Sequence, residues 1–368
     1  MMNSNAQHDG VVARLEVRRE AGEGSPDQWS AAGPINLDAA TAATLVAATR
    51  TPATGSATSA CSTNTPPAAV PTTKRTRKRT LPRRTKLLLS PTAKVKGDRK
   101  ENFLFHHSSD DVDTNLLILL HGAGDTHRAF REFAKRMDLP QTATLSIHAS
   151  SCNNGFTTLP FNLGHTWFEE LDYAVTGDAL PDRDPRRLSS LSSAIDNLIK
   201  ILSSLYPQEG DDSNEGWMPE RIFLFGYSAG ACLVMETCLR LLKQKDTSMP
   251  LGGAICVAGG IKCEIPPDEK DKEEAGSEGT YSFEGPTPVL LVVGSKDGNF
   301  PPNTARKASF LYHETSATKE SAATIFVKDG KGPAMVGSED EMRCIMEFMA
   351  KRLVREMPAS AMGATAPS

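Results

Sequence analysis

The chain has no apolar run of about eighteen residues, the least that a membrane-spanning helix needs, so we expect no membrane span. Residues 1–20 mix acidic and basic side chains around no apolar stretch, which argues against a secretory signal peptide. The net charge is only −4, so no overall field attracts nucleic acid to the folded part. We expect a cytoplasmic protein, and a basic segment described below leaves a nuclear location open.

Metal-ligand spacing is also lacking among the seven cysteines, whose number is odd. Several of them lie inside apolar runs, which favours reduced and buried thiols over a disulfide framework. We therefore expect neither a metal nor a cofactor.

The first 98 residues have little from which to build a core. Residues 39–72 consist mostly of Ala, Thr, Ser and Pro and contain no aromatic side chain. Such a segment buries too little apolar surface to offset the entropy of ordering, so residues 1–98 are predicted to be a disordered extension. The same prediction applies to a short tail, residues 358–368.

One part of this extension is strongly basic: from Lys74 to Lys86, eight of thirteen residues are Lys or Arg. A run of this kind either binds a nuclear importer or another anionic partner, or is a solvated tract without a partner. The sequence leaves these alternatives open.

Between residues 99 and 357, strand-like and helical patterns alternate along the chain. Strands are predicted at residues 101–105, 115–120, 143–148, 221–225, 252–257, 289–293 and 323–327, and helices at 126–137, 187–205, 229–245, 303–315 and 339–356. Apolar strands separated by helices indicate an α/β domain with a mostly parallel sheet covered on both faces. Residues 208–220 and 263–286 are polar and are interpreted as insertions.

A serine at the apex of a strand–turn–helix pattern carries the chemical interpretation. Ser228 stands in the sequence Gly-Tyr-Ser-Ala-Gly, after an apolar strand and before an apolar helix. The flanking glycines suit a tight turn in which larger side chains would collide with the strand and the helix. This arrangement is typical of the nucleophile elbow of an α/β-hydrolase, so Ser228 is the predicted nucleophile.

Two further elements of an acyl-transfer site, an oxyanion hole and an acid, are predicted where strands end. The strand at 115–120 runs into His-Gly-Ala-Gly-Asp, a small-residue loop suited to an oxyanion hole, and the backbone N–H groups of Ala123 and Ala229 are the candidate donors. His121 is interpreted as a structural residue that holds this loop. Asp297 ends a later strand, in the chain order expected of the acid that orients a catalytic base.

The base itself is missing from its expected place. The loop after the last strand, residues 329–337, contains no histidine, and the only histidine after Asp297 is His313, in a predicted helix. His165 lies on a loop that could approach the site and is the candidate substitute base.

From about residue 115 to residue 353 the chain resembles the phospholipase/carboxylesterase/thioesterase family, which includes acyl-protein thioesterases. The resemblance rests on the His-Gly-Ala-Gly-Asp loop, Trp167 with Phe168, the pentapeptide around Ser228 and the strand end at Asp297. It implies an α/β-hydrolase fold and hydrolysis of acyl esters or acyl thioesters. It also implies Ser228 as nucleophile, Asp297 as acid, and Ala123 and Ala229 as oxyanion donors. Family members usually have Gly-His where this chain has Gly332 and Pro333.

This substitution leaves three interpretations. The domain is a catalytically silent hydrolase fold that binds an acyl ligand or a partner, or another histidine such as His165 serves as the base. Alternatively, the chain belongs to an active lineage and carries a His-to-Pro change. Without a base, a serine hydroxyl is a poor nucleophile at neutral pH.

Overall fold

The computed structural model describes residues 78–90, 102–149, 159, 164–172, 178–207, 215–243, 250–262, 286–315 and 322–355. The disorder predicted for residues 1–77, 91–98 and 358–368 lies outside these ranges. Within them the chain forms seven strands and six α-helices. The strands are β1 (Phe103–His106), β2 (Asn115–Leu120), β3 (Thr142–Ile147), β4 (Ile222–Tyr227), β5 (Gly253–Val257), β6 (Val289–Gly294) and β7 (Ala323–Lys328). The helices are α1 (Arg83–Leu89), α2 (His127–Met137), α3 (Pro185–Leu205), α4 (Ala229–Lys243), α5 (Pro302–Thr315) and α6 (Glu339–Ala350).

The seven strands form one sheet in the order β1-β3-β2-β4-β5-β6-β7. Five neighbouring pairs are parallel, and only the edge strand β1 runs antiparallel, against β3. The mostly parallel sheet and its α/β class are confirmed. Every residue of β2 and β6 is buried, as expected of strands covered on both faces.

Alternate residues of β2 point into two separate apolar clusters. Leu116 and Ile118 pack with side chains of α3, α4 and α5, whereas Leu117 and Leu119 pack with those of α2 and α6. Because side chains alternate along a strand, this division places α3, α4 and α5 on one face and α2 and α6 on the other, while α1 packs on α3. The helices thus cover both faces, and the carboxyl ends of the parallel strands lie at one edge of the sheet.

The N-terminal boundary of the folded domain requires a correction. Residues 78–90 belong to the stretch predicted to be disordered, but they contain α1 and pack on the domain, with Leu81 and Leu89 at most 1 % exposed. The Thr85 hydroxyl lies 2.8 Å from that of Ser204, and the Arg84 guanidinium donates to the Ser204 carbonyl. The basic composition hid these two apolar anchors, of which Leu81 precedes α1 and Leu89 is its last residue.

The C-terminal helix begins as the sequence predicts. The Ser338 hydroxyl accepts from the Glu341 backbone N–H, and the Glu341 carboxylate accepts from the Ser338 N–H, which together form a capping box. None of the helices in the described ranges is long and apolar enough to cross a bilayer. The described cysteines are free thiols: Cys232, Cys238, Cys256 and Cys344.

Candidate active site

Ser228 lies between the end of β4 and the start of α4, with a backbone φ of 50°. A left-handed backbone is strained for a residue other than glycine and persists only where its surroundings enforce it. A Cβ added at Gly226 would lie 2.4 Å from the Gly230 carbonyl oxygen, and one at Gly230 would lie 2.4 Å from the Leu120 carbonyl oxygen. The two glycines therefore permit the close approach of strand, helix and neighbouring strand that forms the turn.

The loop after β2 faces this serine. A Cβ added at Gly122 would lie 3.6 Å from the Ser228 Cβ. Within the described residues, the backbone N–H groups of Ala123 and Ala229 donate to no backbone carbonyl. Both groups are therefore available to an oxygen atom bound beside the serine, and their role as oxyanion donors stays a prediction.

His121 holds this loop in place. Its Nε2 accepts a hydrogen bond from the Ala149 N–H at 3.1 Å, so its Nδ1 carries the proton and donates to the Gly122 carbonyl at 2.8 Å. Burial lowers the pKa of His121 to about 3, which keeps the ring neutral. The fully buried Trp167 adds a bond from its Nε1 to the His121 carbonyl at 2.6 Å. Both side chains thus support the loop.

Asp297 follows β6 and is only 2 % exposed. Its Oδ1 accepts from the backbone N–H groups of Asn299 and Phe300, at 2.8 and 2.9 Å. Its buried Oδ2 has no hydrogen-bond partner within the described residues. Leaving a buried carboxylate oxygen unpaired is unfavourable, and an acid that orients a histidine accepts the imidazole N–H at such an atom.

The loop that carries Pro333 lies beside both of these residues. The Tyr227 hydroxyl, adjacent in sequence to Ser228, donates to the Pro333 carbonyl at 3.0 Å. The Lys296 N–H, adjacent to Asp297, donates to the Lys331 carbonyl at 2.8 Å. Position 333 is therefore bracketed by the serine turn on one side and the aspartate loop on the other.

The local backbone suits a proline at this position. The Ala334 N–H donates to the Gly332 carbonyl at 2.8 Å, which closes a three-residue turn with Pro333 at its centre. The fixed φ of proline matches the central residue of an inverse γ-turn. Its ring can neither accept nor donate a proton, so position 333 supplies no base.

A buried ion pair anchors the far side of the same loop. Lys331 and Glu341 pair at side-chain exposures of 9 % and 2 %. The Glu341 carboxylate also accepts from the backbone N–H groups of Gly337 and Ser338. Burial acts to raise the pKa of Glu341, but these donors and Lys331 outweigh it and hold the pKa below its usual value.

His165, the candidate substitute base, supports the loop after β2 through its backbone. It pairs with Asp125 in an isolated antiparallel bridge, and its carbonyl accepts from the Gly124 N–H at 2.8 Å. Its ring packs edge-on against His148, with 4.2 Å between ring centres. Its role as a base stays a prediction. His313 lies in α5, the helix in which the sequence predicts it.

Two residues of the site were missed by sequence reasoning. Tyr227 links the serine turn to the Pro333 carbonyl, and burial, with smaller effects from the charges of Asp125 and Asp297, raises its pKa. Its phenol therefore remains a neutral donor. Gly259 is the second, because a Cβ there would lie 2.4 Å from the Ser228 carbonyl oxygen. The Ala-Gly-Gly sequence after β5 was the available signal for this close approach.

Comparison with known proteins identifies the family. The phospholipase/carboxylesterase family model matches residues 104–350, about two thirds of the chain. The chain belongs to the phospholipase/carboxylesterase family. The resemblance seen in the sequence motifs is thereby confirmed, and with it the α/β-hydrolase fold.

The individual relatives that match this chain are distant in sequence. An uncharacterised hydrolase of Schizosaccharomyces pombe is 30 % identical over 156 residues, 41 % of this chain and 55 % of that protein. An uncharacterised hydrolase of Mycosarcoma maydis is 29 % identical over 160 residues, 43 % of this chain and 53 % of that protein. The chain thus spans about half the length of these two curated relatives.

A longer match covers an acyl-protein thioesterase of Saccharomyces cerevisiae, which is 23 % identical over 64 % of this chain and 92 % of that protein. Among solved structures, esterase PE8 is 23 % identical and covers 68 % of this chain and 98 % of its own, with a TM-score of 0.49. An acyl-protein thioesterase of Zea mays is 14 % identical over 68 % of this chain and 99 % of its own, with a TM-score of 0.46.

Proposed function

We propose that this domain hydrolyses acyl esters or acyl thioesters through Ser228, and that its rate is limited by the absence of a base at position 333. The support comes from family membership, from the strained turn at Ser228 and from the buried carboxylate of Asp297, whose sequence neighbours Tyr227 and Lys296 both bond to the loop that carries Pro333.

In the proposed reaction the Ser228 Oγ attacks the acyl carbon. The charge that develops on the carbonyl oxygen is held by the N–H groups of Ala123 and Ala229. The alcohol or thiol then leaves, and water releases the acyl group from Ser228. Both half-reactions require a proton to move, first from the serine hydroxyl to the leaving group and later from the attacking water to the departing Ser228 Oγ.

In the proposed reaction this proton transfer is slow because Pro333 cannot carry the proton. In an intact triad a histidine takes the proton from the serine and returns it to the leaving group. Losing the histidine lowers kcat by about 10⁶-fold in subtilisin, while binding and the oxyanion hole still leave about 10³–10⁴ over the uncatalysed rate. We therefore expect weak but real turnover that depends on Ser228.

The observation that carries this proposal is the unpartnered Oδ2 of Asp297 beside the Pro333 loop. The Oδ1 of the same carboxylate is fixed by two backbone N–H groups, whereas Oδ2 is buried with no donor among the described residues. A carboxylate kept in this arrangement suits a site organised to orient a base, which supports the role proposed for Asp297.

The same position favours a second candidate function. A hydrolase fold without a base retains its ligand site but not its turnover, so the domain would bind an acyl ligand or a partner and remain silent as an enzyme. Pro333 supports this alternative for two reasons. The turn around it is closed by the hydrogen bond from the Ala334 N–H to the Gly332 carbonyl, and the proline side chain has no group that transfers a proton.

Labelling and turnover of the unmodified protein separate the two candidates. We expect a fluorophosphonate probe to label the protein slowly, and a short-chain p-nitrophenyl ester to be hydrolysed above the buffer rate. Both signals should vanish in Ser228→Ala, whereas Ser189→Ala, on the surface of α3, should leave them unchanged. Equal rates for the unmodified protein and Ser228→Ala would instead support the silent, ligand-binding alternative.

A further inference from the structure

The short helix α1 presents an exposed face that combines positive charge with apolar side chains. Arg83, Lys86 and Leu87 are all exposed, and they share one helical face because they are separated by three and four residues. Leu87 is 65 % exposed, and the neighbouring Leu88 is 45 % exposed. Two adjacent large apolar side chains are thus kept in solvent beside two cations.

The opposite face anchors the helix firmly to the domain. Thr85 and Leu89 are fully buried, and the Thr85 hydroxyl donates to the Ser204 carbonyl at 2.9 Å. Arg84 uses its guanidinium to bond the carbonyls of Ser204 and Tyr206. With its inner face occupied, the helix holds its outer face in a fixed orientation towards solvent.

The positive charge of the outer face is not neutralised locally. Within the described residues, the side chains of Arg83 and Lys86 form neither an ion pair nor a hydrogen bond. Three further basic residues, Lys74, Arg75 and Arg77, precede the described segment in sequence. The surface therefore presents cations to an anionic partner. It also presents exposed leucines, which a partner that contacts only the charges would leave in solvent.

We propose that the exposed surface of α1, formed by the face of Arg83, Lys86 and Leu87 together with the neighbouring Leu88, binds an anionic lipid membrane surface. The leucines enter the boundary between headgroups and acyl chains, while the cations contact lipid phosphates and carboxylates. This placement is independent of the activity proposed above, since α1 packs on α3 and takes no part in the serine site.

The leucines distinguish a membrane from a nuclear importer, the other partner that the basic segment suggests. An importer bound through the basic run would require its cations, but Arg79 and Arg84 already bond to carbonyl groups of the domain. A bilayer uses both the remaining cations and the exposed apolar side chains.

Sedimentation of the full chain with vesicles tests this proposal. One set contains phosphatidylcholine alone, and the other contains phosphatidylcholine with phosphatidylserine. We expect binding to the second set that weakens as salt is raised, because the attraction is screened. The double variant Arg83→Gln/Lys86→Gln should lower the partition coefficient by about fivefold for each cation removed.

The apolar contact is tested by Leu87→Ser/Leu88→Ser, for which we expect a loss of about tenfold or more. Phe310→Ser is the matched control, because Phe310 is 61 % exposed on another helix, and its binding should be unchanged. Circular dichroism melting checks that each variant is folded.

Equal binding to both vesicle sets would overturn the proposal, and so would unchanged binding in the leucine variant. An equal loss in Phe310→Ser would place the contact elsewhere on the surface and would also overturn it. Binding to a purified importer through the segment from Lys74 to Lys86, with no vesicle binding, would assign the charge to that partner instead.

Discussion

The serine turn and the loop of residues 331–337 lie next to each other, and only the serine turn carries a reactive side chain. The serine turn combines a strained backbone, two glycines in close contact and the reactive side chain itself. The loop is held as firmly, by Tyr227, Lys296 and Glu341, but the side chain at its centre is Pro333. The comparison shows that the backbone contacts of this loop do not require a histidine at position 333, because they form with Pro333 in place.

The largest expected effect contrasts a glycine of the turn with a glycine of the loop. We expect Gly230→Ala to destabilise the fold by about 3 kcal/mol or more, because its Cβ would lie 2.4 and 2.6 Å from the Leu120 and His121 carbonyl oxygens. Gly332→Ala should change stability by less than about 0.5 kcal/mol, since its Cβ would meet nothing within 4 Å. Urea denaturation measures both, and equal effects would contradict the contrast.

The next effect concerns a buried carboxylate in the helix that follows the serine. Both carboxylate oxygens of Glu236 are buried without a hydrogen-bond partner within the described residues, and burial raises its pKa to about 8. The folded state therefore holds a proton that the unfolded state releases at lower pH. Stability should fall as pH rises from about 4.5 to 8, by up to about 1.4 kcal/mol per unit.

Glu236→Gln removes this dependence. We expect the variant to be more stable than the unmodified protein at pH 8 and to show little gain at pH 4, where both states are protonated. Glu220→Gln, at an exposed position, is the control and should show no such difference. Melting temperatures measured across this pH range test the prediction. If Glu236→Gln keeps the pH slope of the unmodified protein, Glu236 is not the source of that slope.

On the loop side the expected pH slope is opposite. The pKa of Glu341 is lowered, so its pairing stabilises the fold above the usual pKa of glutamate and is lost as pH falls through the lowered value. Glu341→Gln leaves Lys331 without its buried partner and should cost about 2–3 kcal/mol at pH 7. Glu339→Gln, an exposed neighbour on the same helix, should cost less than about 0.5 kcal/mol. Similar losses in the two variants would contradict the anchoring role.

The smallest effect is expected where the two regions touch. Tyr227→Phe removes the hydroxyl that donates to the Pro333 carbonyl, an exposed contact worth about 0.5–1 kcal/mol. Denaturation should detect this loss, and amide hydrogen exchange around Ala334 should quicken as the loop loosens. Unchanged exchange would show that the contacts of Lys296 and Glu341 hold the loop without the tyrosine hydroxyl.

The sequence predicts the regular framework well because its signals are local. The strand at Asn115–Leu120 and the start of the helix at Ala229 agree with the structure to the residue, since apolar runs and the turn around Ser228 define them. The predicted start of the last helix, at residue 339, is equally local, since the capping box of Ser338 and Glu341 fixes it, and it is confirmed. The helix at residues 83–89 was missed because its three basic residues make the segment look like part of the basic tract, and only Leu87, Leu88 and Leu89 are apolar.

What the sequence could not show depends on contacts between distant segments. The order of Ser228, Asp297 and Pro333 along the chain is visible in the sequence. The bond from Tyr227 to the Pro333 carbonyl joins residues that are 106 positions apart, and no local pattern predicts it. The unpartnered Oδ2 of Asp297 depends in the same way on which segments pack around it.

The proposal that the site lacks only a base is tested most directly by kcat/KM for a p-nitrophenyl ester at pH 7 in Pro333→His. We expect a rise of at least about a hundredfold over the unmodified protein, abolished by a further Ser228→Ala substitution. Pro333→Gln, which also removes the proline but cannot take up a proton, should show no such rise. A folded Pro333→His variant that is no faster than Pro333→Gln would contradict the proposal.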